Sequence, residues 1–292
     1  MTITVAIISK NREKLLHRCL ISLSLQDKVP DKIILVEDIS QNKFFDKKSV
    51  SKYFPDCTAI NYFETRTQNY AVARNICLNS LDRDLLVFVD DDILLPRNYL
   101  SSTERLHRLN KDIFAYVGRI LPVNMSKITK YQSVLFMGEY RFLKKDKIIP
   151  TYPLTVTSLK SKILKKYNYK FDENFYVGED HDFLLKHTTS GEKLIFTPSL
   201  KAFHFFKKSL LRLCLRHYEY GQALPKLIKK YPKFFYNPYR KINIFSLKEL
   251  FRISSDDLHK MKLDQGYFFL SLLHHLSIFL GAIMHKSKRL KR

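Results

Sequence analysis

The sequence predicts an α/β fold, a mostly parallel central sheet flanked by helices, followed by a basic helical extension. Three observations predict it. Short apolar runs rich in β-branched residues alternate with helical patterns up to about residue 90. Polar and acidic clusters stand directly after those runs, and positive charge gathers in the last third of the chain. Alternation of this kind specifies parallel strands with helices on both faces.

Residues 3–8 form the first buried strand, followed by the polar loop Ser9, Lys10, Asn11, Arg12 and a helix with Leu15, Leu16, Cys19, Leu20 and Leu23 on one face. Residues 32–36 read as a second strand ending in Glu37 and Asp38, 58–63 as a third, 68–80 as a helix and 85–89 as a fourth strand. Beyond Asp92 the pattern predicts a helix over 96–109, a strand over 113–120, a mixed region to about 150, a strand over 154–157 and a helix over 158–166. Gly178 precedes a further helix that Gly191 terminates; 193–197 and 202–205 read as short strands, and from Leu210 the chain is helical. The expected division is an α/β domain over 1–206, with one half to about 95 and a second half over 96–206, and a basic helical extension over 207–292.

Composition narrows the classes. With 45% hydrophobic residues, 22 Phe and 17 Tyr in 292 positions, the chain can bury a sizeable core. Only 7 Gly argue against a glycine-cradled nucleotide site. Cys19, Cys57, Cys77 and Cys214 lack C-x-x-C spacing and read as free thiols. The N-terminus shows no basic region ahead of a long apolar run, so a cytoplasmic site of action is expected. The net charge is +23, and residues 201–292 hold 20 Lys+Arg against 5 Asp+Glu. Such a face suits nucleic acid, anionic lipid or an acidic polymer alike.

In open sheets of this type, ligands sit beyond the carboxyl ends of the strands. Ser9 to Arg12, Glu37 and Asp38, and Asp90 to Asp92 all fall at that rim. Asp90 and Asp92 can supply oxygen ligands to a hard cation such as Mg²⁺ or Mn²⁺ that keeps positions open for phosphate. The ordered set ITVAIIS at 3–9, VEDIS at 36–40, ARN at 73–75, VDDD at 89–92, FDE at 171–173, GEDHDF at 178–183 and AFH at 202–204 resembles family 2 glycosyltransferases of the GT-A fold, over about residues 3–206.

The resemblance implies an inverting glycosyltransferase, hexosyl or N-acetylhexosaminyl, that uses a nucleotide-sugar, most commonly UDP-linked, and acts on a glycan or lipid-linked saccharide in polysaccharide biosynthesis. It implies nucleotide contacts from Ile8, Ser9, Asn11, Asp38, Arg74, Asp90 and Asp91. Metal ligands would be Asp92, Asp90 and His204, the imidazole favouring Mn²⁺ over Mg²⁺. Asp180 matches the general base, with Glu179 and His181 on the acceptor side. Taken singly, each has a plainer reading: Asp38 a turn residue, Arg74 a solvated helix face, Glu179 and Asp180 partners of a helix dipole, His181 a surface residue, His204 a packed core residue. The sequence departs from the family at Lys10, where an aromatic is usual, and at Glu37, in place of Asp.

Residues 207–233 place Lys207, Lys208, Arg212, Arg216, Lys226, Lys229, Lys230 and Lys233 among leucines, and 267–284 is strongly apolar before the basic run 286–292. The expectation is an interfacial helix on an anionic membrane surface, at the inner face of the cell membrane, ahead of a helix packed on protein or a homo-oligomer partner, and ahead of a span. Two other classes compete: a nucleic-acid-binding protein using the basic helices, disfavoured by carboxylates on the binding rim, and a sugar-phosphate nucleotidyltransferase, which would carry a glycine-rich first loop. No nucleic-acid partner is therefore expected.

Overall fold

The computed structural model describes residues 1–55, 58–234, 254–256 and 258–290; of residues 139 and 285–290 the backbone alone is described. Cys57 and the side chains of the terminal basic run lie outside the described residues. Cys19, Cys77 and Cys214 are free, the first two buried.

Two compact units are present, residues 1–123 with 140–205, and residues 124–139 with 206–292. The first is a mixed sheet with helices. Its strands are β1 (Ile3–Lys10), β2 (Lys32–Asp38), β3 (Ala59–Thr65), β4 (Leu85–Val89), β5 (Ile93–Leu94), β6 (Ile113–Pro122), β7 (Lys147–Ile149), β8 (Val156–Lys160) and β9 (Lys193–His204). Its helices are α1 (Glu13–Ser24), α2 (Lys47–Ser51), α3 (Tyr70–Asn79), α4 (Tyr99–Leu109), α6 (Ser161–Tyr167) and α7 (Glu179–Thr189). The second unit holds α5 (Lys127–Met137), α8 (Leu210–Lys230) and α9 (Phe268–Leu290).

Strand order is β3-β2-β1-β4-β8-β6-β9-β5, with β7 on β9. β3, β2, β1 and β4 are mutually parallel, as the alternation dictates, and β6 runs parallel to β9. β8 is antiparallel to both of its neighbours. β1 lies between β2 and β4, so the strand order reverses there, and ligands of open sheets bind beyond the carboxyl ends of the strands at such a switch. Ile3, Val5, Ile7, Ile33 to Val36 and Leu85 to Val89 fill the core on both faces, which is why these strands read as continuous apolar runs.

Several boundaries move for physical reasons. Ser158, Leu159 and Lys160, expected to open a helix, pair with Val87, Leu86 and Leu85 and extend β8 instead; sheet pairing overrides helix propensity. The two short strands expected at 193–197 and 202–205 are one strand, β9. Its register against β6 jumps from Gly118↔Thr197 to Arg119↔Lys201, so residues 198–200 bulge where Pro198 interrupts the pattern. Gly118 is required opposite that bulge, because a Cβ there would stand 2.5 Å from Leu200 O.

Candidate active site

The site begins at the strand-order switch. Ser9, the penultimate residue of β1, donates its hydroxyl to Asp91 Oδ2 at 2.8 Å. Arg12 follows in the β1–α1 loop, after Asn11 adopts a left-handed φ of 52°, a conformation its short amide tolerates. The Arg12 guanidinium meets Asp91 Oδ1 at 2.8 Å and Asp92 Oδ2 at 2.7 Å. Desolvation works against its charge, yet Asp91 and Asp92 hold its pKa above the ordinary value. Asn11 ties this loop to the one after β2, donating to Gln41 Oε1 at 2.5 Å and accepting from Asn42 N–H at 3.3 Å.

His204 reaches the cluster by strand pairing. The two-residue β5 pairs antiparallel with the end of β9, matching Ile93 to His204, and Phe205 N–H donates to Asp92 O at 2.9 Å. His204 Nε2 consequently lies 2.9 Å from Asp92 Oδ1. Asp92 is thus shared between Arg12 and an imidazole. Asp90 keeps partial solvent access while its N–H donates to Thr155 O at 2.8 Å. Burial first, and then the charge of Asp92, push its carboxyl up to about 7. Burial likewise raises Asp91, to about 6, against the pull of Arg12.

A cation suits this arrangement. The rim is short of positive charge at Asp90, and its donors are carboxylates and an imidazole. Among the described residues no three His, Cys, Asp or Glu side chains gather closely enough to hold a metal ion by themselves. A hard cation held by one or two carboxylates normally completes its shell with phosphate oxygens and water, so an incomplete protein donor set fits. Asp90, Asp92 and His204 are the residues that could hold it.

A second group of carboxylates is anchored by α3. Arg74 and Glu179 form a buried ion pair, and Arg74 also sits in the field of Asp180 and Asp90, which together raise its pKa against desolvation. Arg74 is therefore not a solvated helix residue; it stands between the carboxylates after β4 and those opening α7. Asn75 donates to Phe171 O at 3.1 Å and Glu173 Oε1 at 2.9 Å and accepts from Phe171 N–H at 2.9 Å. The ARN segment thereby anchors both the FDE and GEDHDF segments. Phe171 stacks on Phe183 with ring centroids 4.0 Å apart, fixing the start of α7 from below.

Asp180 accepts from His181 N–H at 2.8 Å (Oδ1) and Leu154 N–H at 3.4 Å (Oδ2). Burial opposes its charge, but His181, Arg74 and those two N–H groups outweigh burial and lower its pKa. His181 Nδ1 meets Thr151 Oγ1 at 2.9 Å, so its ring is held rather than loose on a helix surface. Ile8 is half-buried beside Val36 in the β1–β2 register. Asp38 is buried, and its Oδ1 accepts Ser40 N–H at 2.9 Å, shaping the turn after β2. The Glu37 carboxylate accepts from Phe44 N–H, Phe45 N–H and Tyr62 OH and so ties β2 to the following loop and to β3.

Sequence reasoning left Arg12 without a role. Its signal was the run Asp90-Asp91-Asp92 itself, since three adjacent carboxylates at a buried rim demand a cation from the neighbouring loop. Leu154 and Thr151, which orient Asp180 and His181, lie in a region whose sequence carries no motif.

The family model described as Glycosyl transferase family 2 matches residues 4–168. No curated protein matches the sequence. Among solved structures, the mannosyltransferase PcManGT from Pyrobaculum calidifontis, in complex with GDP-Man and Mn²⁺, aligns at TM-score 0.63 and 17% identity over 97% of this chain and 86% of its own. S. aureus TarS 1–349 in complex with UDP-GlcNAc aligns at 0.56 and 14% over 100% and 93%. GalNAc-T7 with UDP, GalNAc and Mn²⁺ aligns at 0.59 and 14% over 94% and 57%. The fold is that of the GT-A glycosyltransferases.

Proposed function

Since the chain belongs to glycosyl transferase family 2, we propose that it moves a sugar from a UDP-linked donor to a hydroxyl of a glycan or lipid-linked saccharide, inverting the anomeric centre in one displacement. A hexosyl or N-acetylhexosaminyl group fits the donors seen with its structural relatives, UDP-GlcNAc and GDP-Man. Those relatives differ in nucleotide, so uridine rests on the family's commonest usage. The nucleic-acid and nucleotidyltransferase readings lose their ground once the family is known.

The observation that carries the reading is the junction of Asp92 with His204, 2.9 Å apart, at the strand-order switch. The nucleotide lies beyond the carboxyl ends of β1 and β2, against Ile8, Ser9, Asn11 and Asp38. Asp90, Asp92 and His204 would hold Mn²⁺ or Mg²⁺, which when bound would offset the negative charge of the diphosphate. Asp91 supports them through Ser9 and Arg12 rather than touching the donor. Arg74 holds Glu179 and faces both carboxylate groups, so it keeps the two halves of the site in fixed relation.

Asp180 takes the acceptor proton. Its lowered pKa keeps it ionised at neutral pH, and each oxygen, having accepted one backbone N–H, retains a lone pair for the incoming hydroxyl. As the hydroxyl oxygen attacks the anomeric carbon from the face opposite the diphosphate, the proton passes to this carboxylate. The bond to the diphosphate breaks in the same step, and the sugar bears oxocarbenium character between the two.

The reading is tested by screening nucleotide-sugars for metal-dependent hydrolysis without acceptor. Asp92→Asn should abolish metal-dependent binding of the nucleoside diphosphate. Retained affinity that ignores the metal would remove Asp92 from the site.

A further inference from the structure

The second unit carries a surface that sugar transfer does not use. One face of α9 is consumed by α8 at backbone distance: a Cβ on Gly221 would stand 2.1 Å from Ile278 O, and one on Gly281 2.1 Å from Tyr218 O. The His217 and His274 rings meet at 4.3 Å on the same side. The opposite side of α9 is a continuous apolar stripe. Phe269, Leu273, Leu276, Leu280 and Ile283 follow one another at alternating steps of four and three, so they share one helix face. Phe269 is 61% exposed, Leu280 47% and Ile283 45%.

Three features decide what covers it. Residues 265–284 include no Asp, Glu, Lys or Arg, and their most apolar 18-residue window has a mean hydropathy of 1.7. A seam between two copies of a helix normally relies on charged flanking positions to set register and partner; here the flanks are Leu270, Leu272, Ser277 and Phe279. A span is disfavoured because α8, locked to α9 at the glycines, would carry exposed Arg212, Arg216, Lys229 and Lys230 into hydrocarbon. On α8, Leu211 (68% exposed) and Leu215 (54%) stand beside Arg212 and Arg216, the mixture of a helix that lies at a headgroup boundary. Residues 201–292 supply a net +15.

We propose that the α9 stripe docks on an anionic lipid bilayer, lying along it without crossing, with the α8 cations at the headgroups. This goes beyond the transferase reading and does not depend on the donor.

The chain contains no Trp, so Phe269→Trp places a single reporter on the stripe. With vesicles of phosphatidylcholine and phosphatidylglycerol at about 3:1, its emission should shift blue and be quenched by acyl-brominated lipid; with phosphatidylcholine alone it should not. Adding Leu280→Glu and Ile283→Glu should weaken vesicle binding at least about tenfold, since exposed apolar area drives insertion. Donor hydrolysis in lipid-free solution should stay unchanged, which separates this proposal from the transferase reading. Undiminished flotation of the double variant, or a wild-type chain that ignores anionic vesicles, overturns it. So does a wild-type dimer that the double variant converts to monomer without any vesicle binding, which would give the stripe to a second copy.

Discussion

Arg74 and Glu179, 105 residues apart in sequence, form an ion pair whose side chains are only 7% and 6% exposed. The pair joins α3 to the first turn of α7, and Tyr70, Phe88 and Phe171 rings lie within 6.0 Å of the guanidinium. Removing one partner of a buried pair strands the other charge, at a cost of about 3–5 kcal/mol. Arg74→Ala should lower unfolding free energy by about that much in urea titrations. A loss below about 1 kcal/mol would show that solvent reaches Glu179 freely.

That pair also marks the limit of what the sequence discloses. β1, β2 and β4 are legible because both faces of each are buried, so their runs are unbroken apolar, and Asp90 to Asp92 are legible because they follow such a run directly. Asp180 and Glu179 are harder, since a helix start accounts for acidic residues almost as well. The pairing of Arg74 with Glu179 is invisible locally: nothing near either residue encodes a partner a hundred positions away. The same is true of β5, two residues long, which nonetheless sets His204 beside Asp92. The helix α5, within the stretch to about 150 whose sequence pattern is mixed, belongs with the C-terminal unit because Tyr131 packs into a cluster with Leu213, Leu258, Tyr267 and Leu270.

Asp90 sets a pH dependence whose sign can be worked out. Burial and Asp92 raise its folded value from 3.8 to about 7. A raised acid prefers to fold protonated, so its contribution to stability is full below its unfolded value and is lost as pH rises through about 7. The metal-free protein should therefore lose thermal stability from this group between about pH 4 and pH 7, and Asp90→Asn should flatten the decline. Affinity for Mn²⁺ should run the other way, rising up to about tenfold per pH unit until about pH 7, because a ligand must shed its proton. Calorimetry across that range checks both; a Mn²⁺ affinity indifferent to pH would contradict them.

Asp180→Asn keeps the side chain's size and one acceptor oxygen while removing the basic group. Turnover should fall about 10²- to 10⁴-fold with nearly unchanged donor affinity. Single-turnover assays at saturating donor separate the two effects. Near-normal rates would assign the proton to another acceptor.

Gly221 tests the second unit independently of catalysis. A Cβ at that position would stand 2.1 Å from Ile278 O, a backbone atom that cannot rotate aside. Gly221→Ala must separate α8 from α9 and should cost about 1–3 kcal/mol, the usual penalty of overpacking. Circular dichroism melts of the full chain should show the lowered stability, and an unchanged melt would mean that the helices are not in backbone contact.

Gly118 connects the bulge in β9 to the rim where His204 meets Asp92. Residues 198–200 are extra relative to β6, and they shift the register so that the strand's last residue, His204, pairs with Ile93 next to Asp92. The bulge closes over Gly118, where any Cβ would approach Leu200 O at 2.5 Å and Leu200 Cβ at 2.8 Å. Gly118→Ala should therefore do two things at once. It should destabilise the fold by about 1–3 kcal/mol, and, by displacing the end of β9, it should weaken Mn²⁺ binding roughly 10- to 100-fold, the cost of losing the support behind a ligand. The neighbouring Arg119→Ala removes a hydrogen bond from Nη2 to Leu143 O at 2.6 Å without touching the bulge, so it should lower stability while leaving Mn²⁺ affinity intact. If Gly118→Ala lost stability but bound Mn²⁺ normally, the bulge would be a packing feature, and His204 would owe its place to the β5 pairing alone.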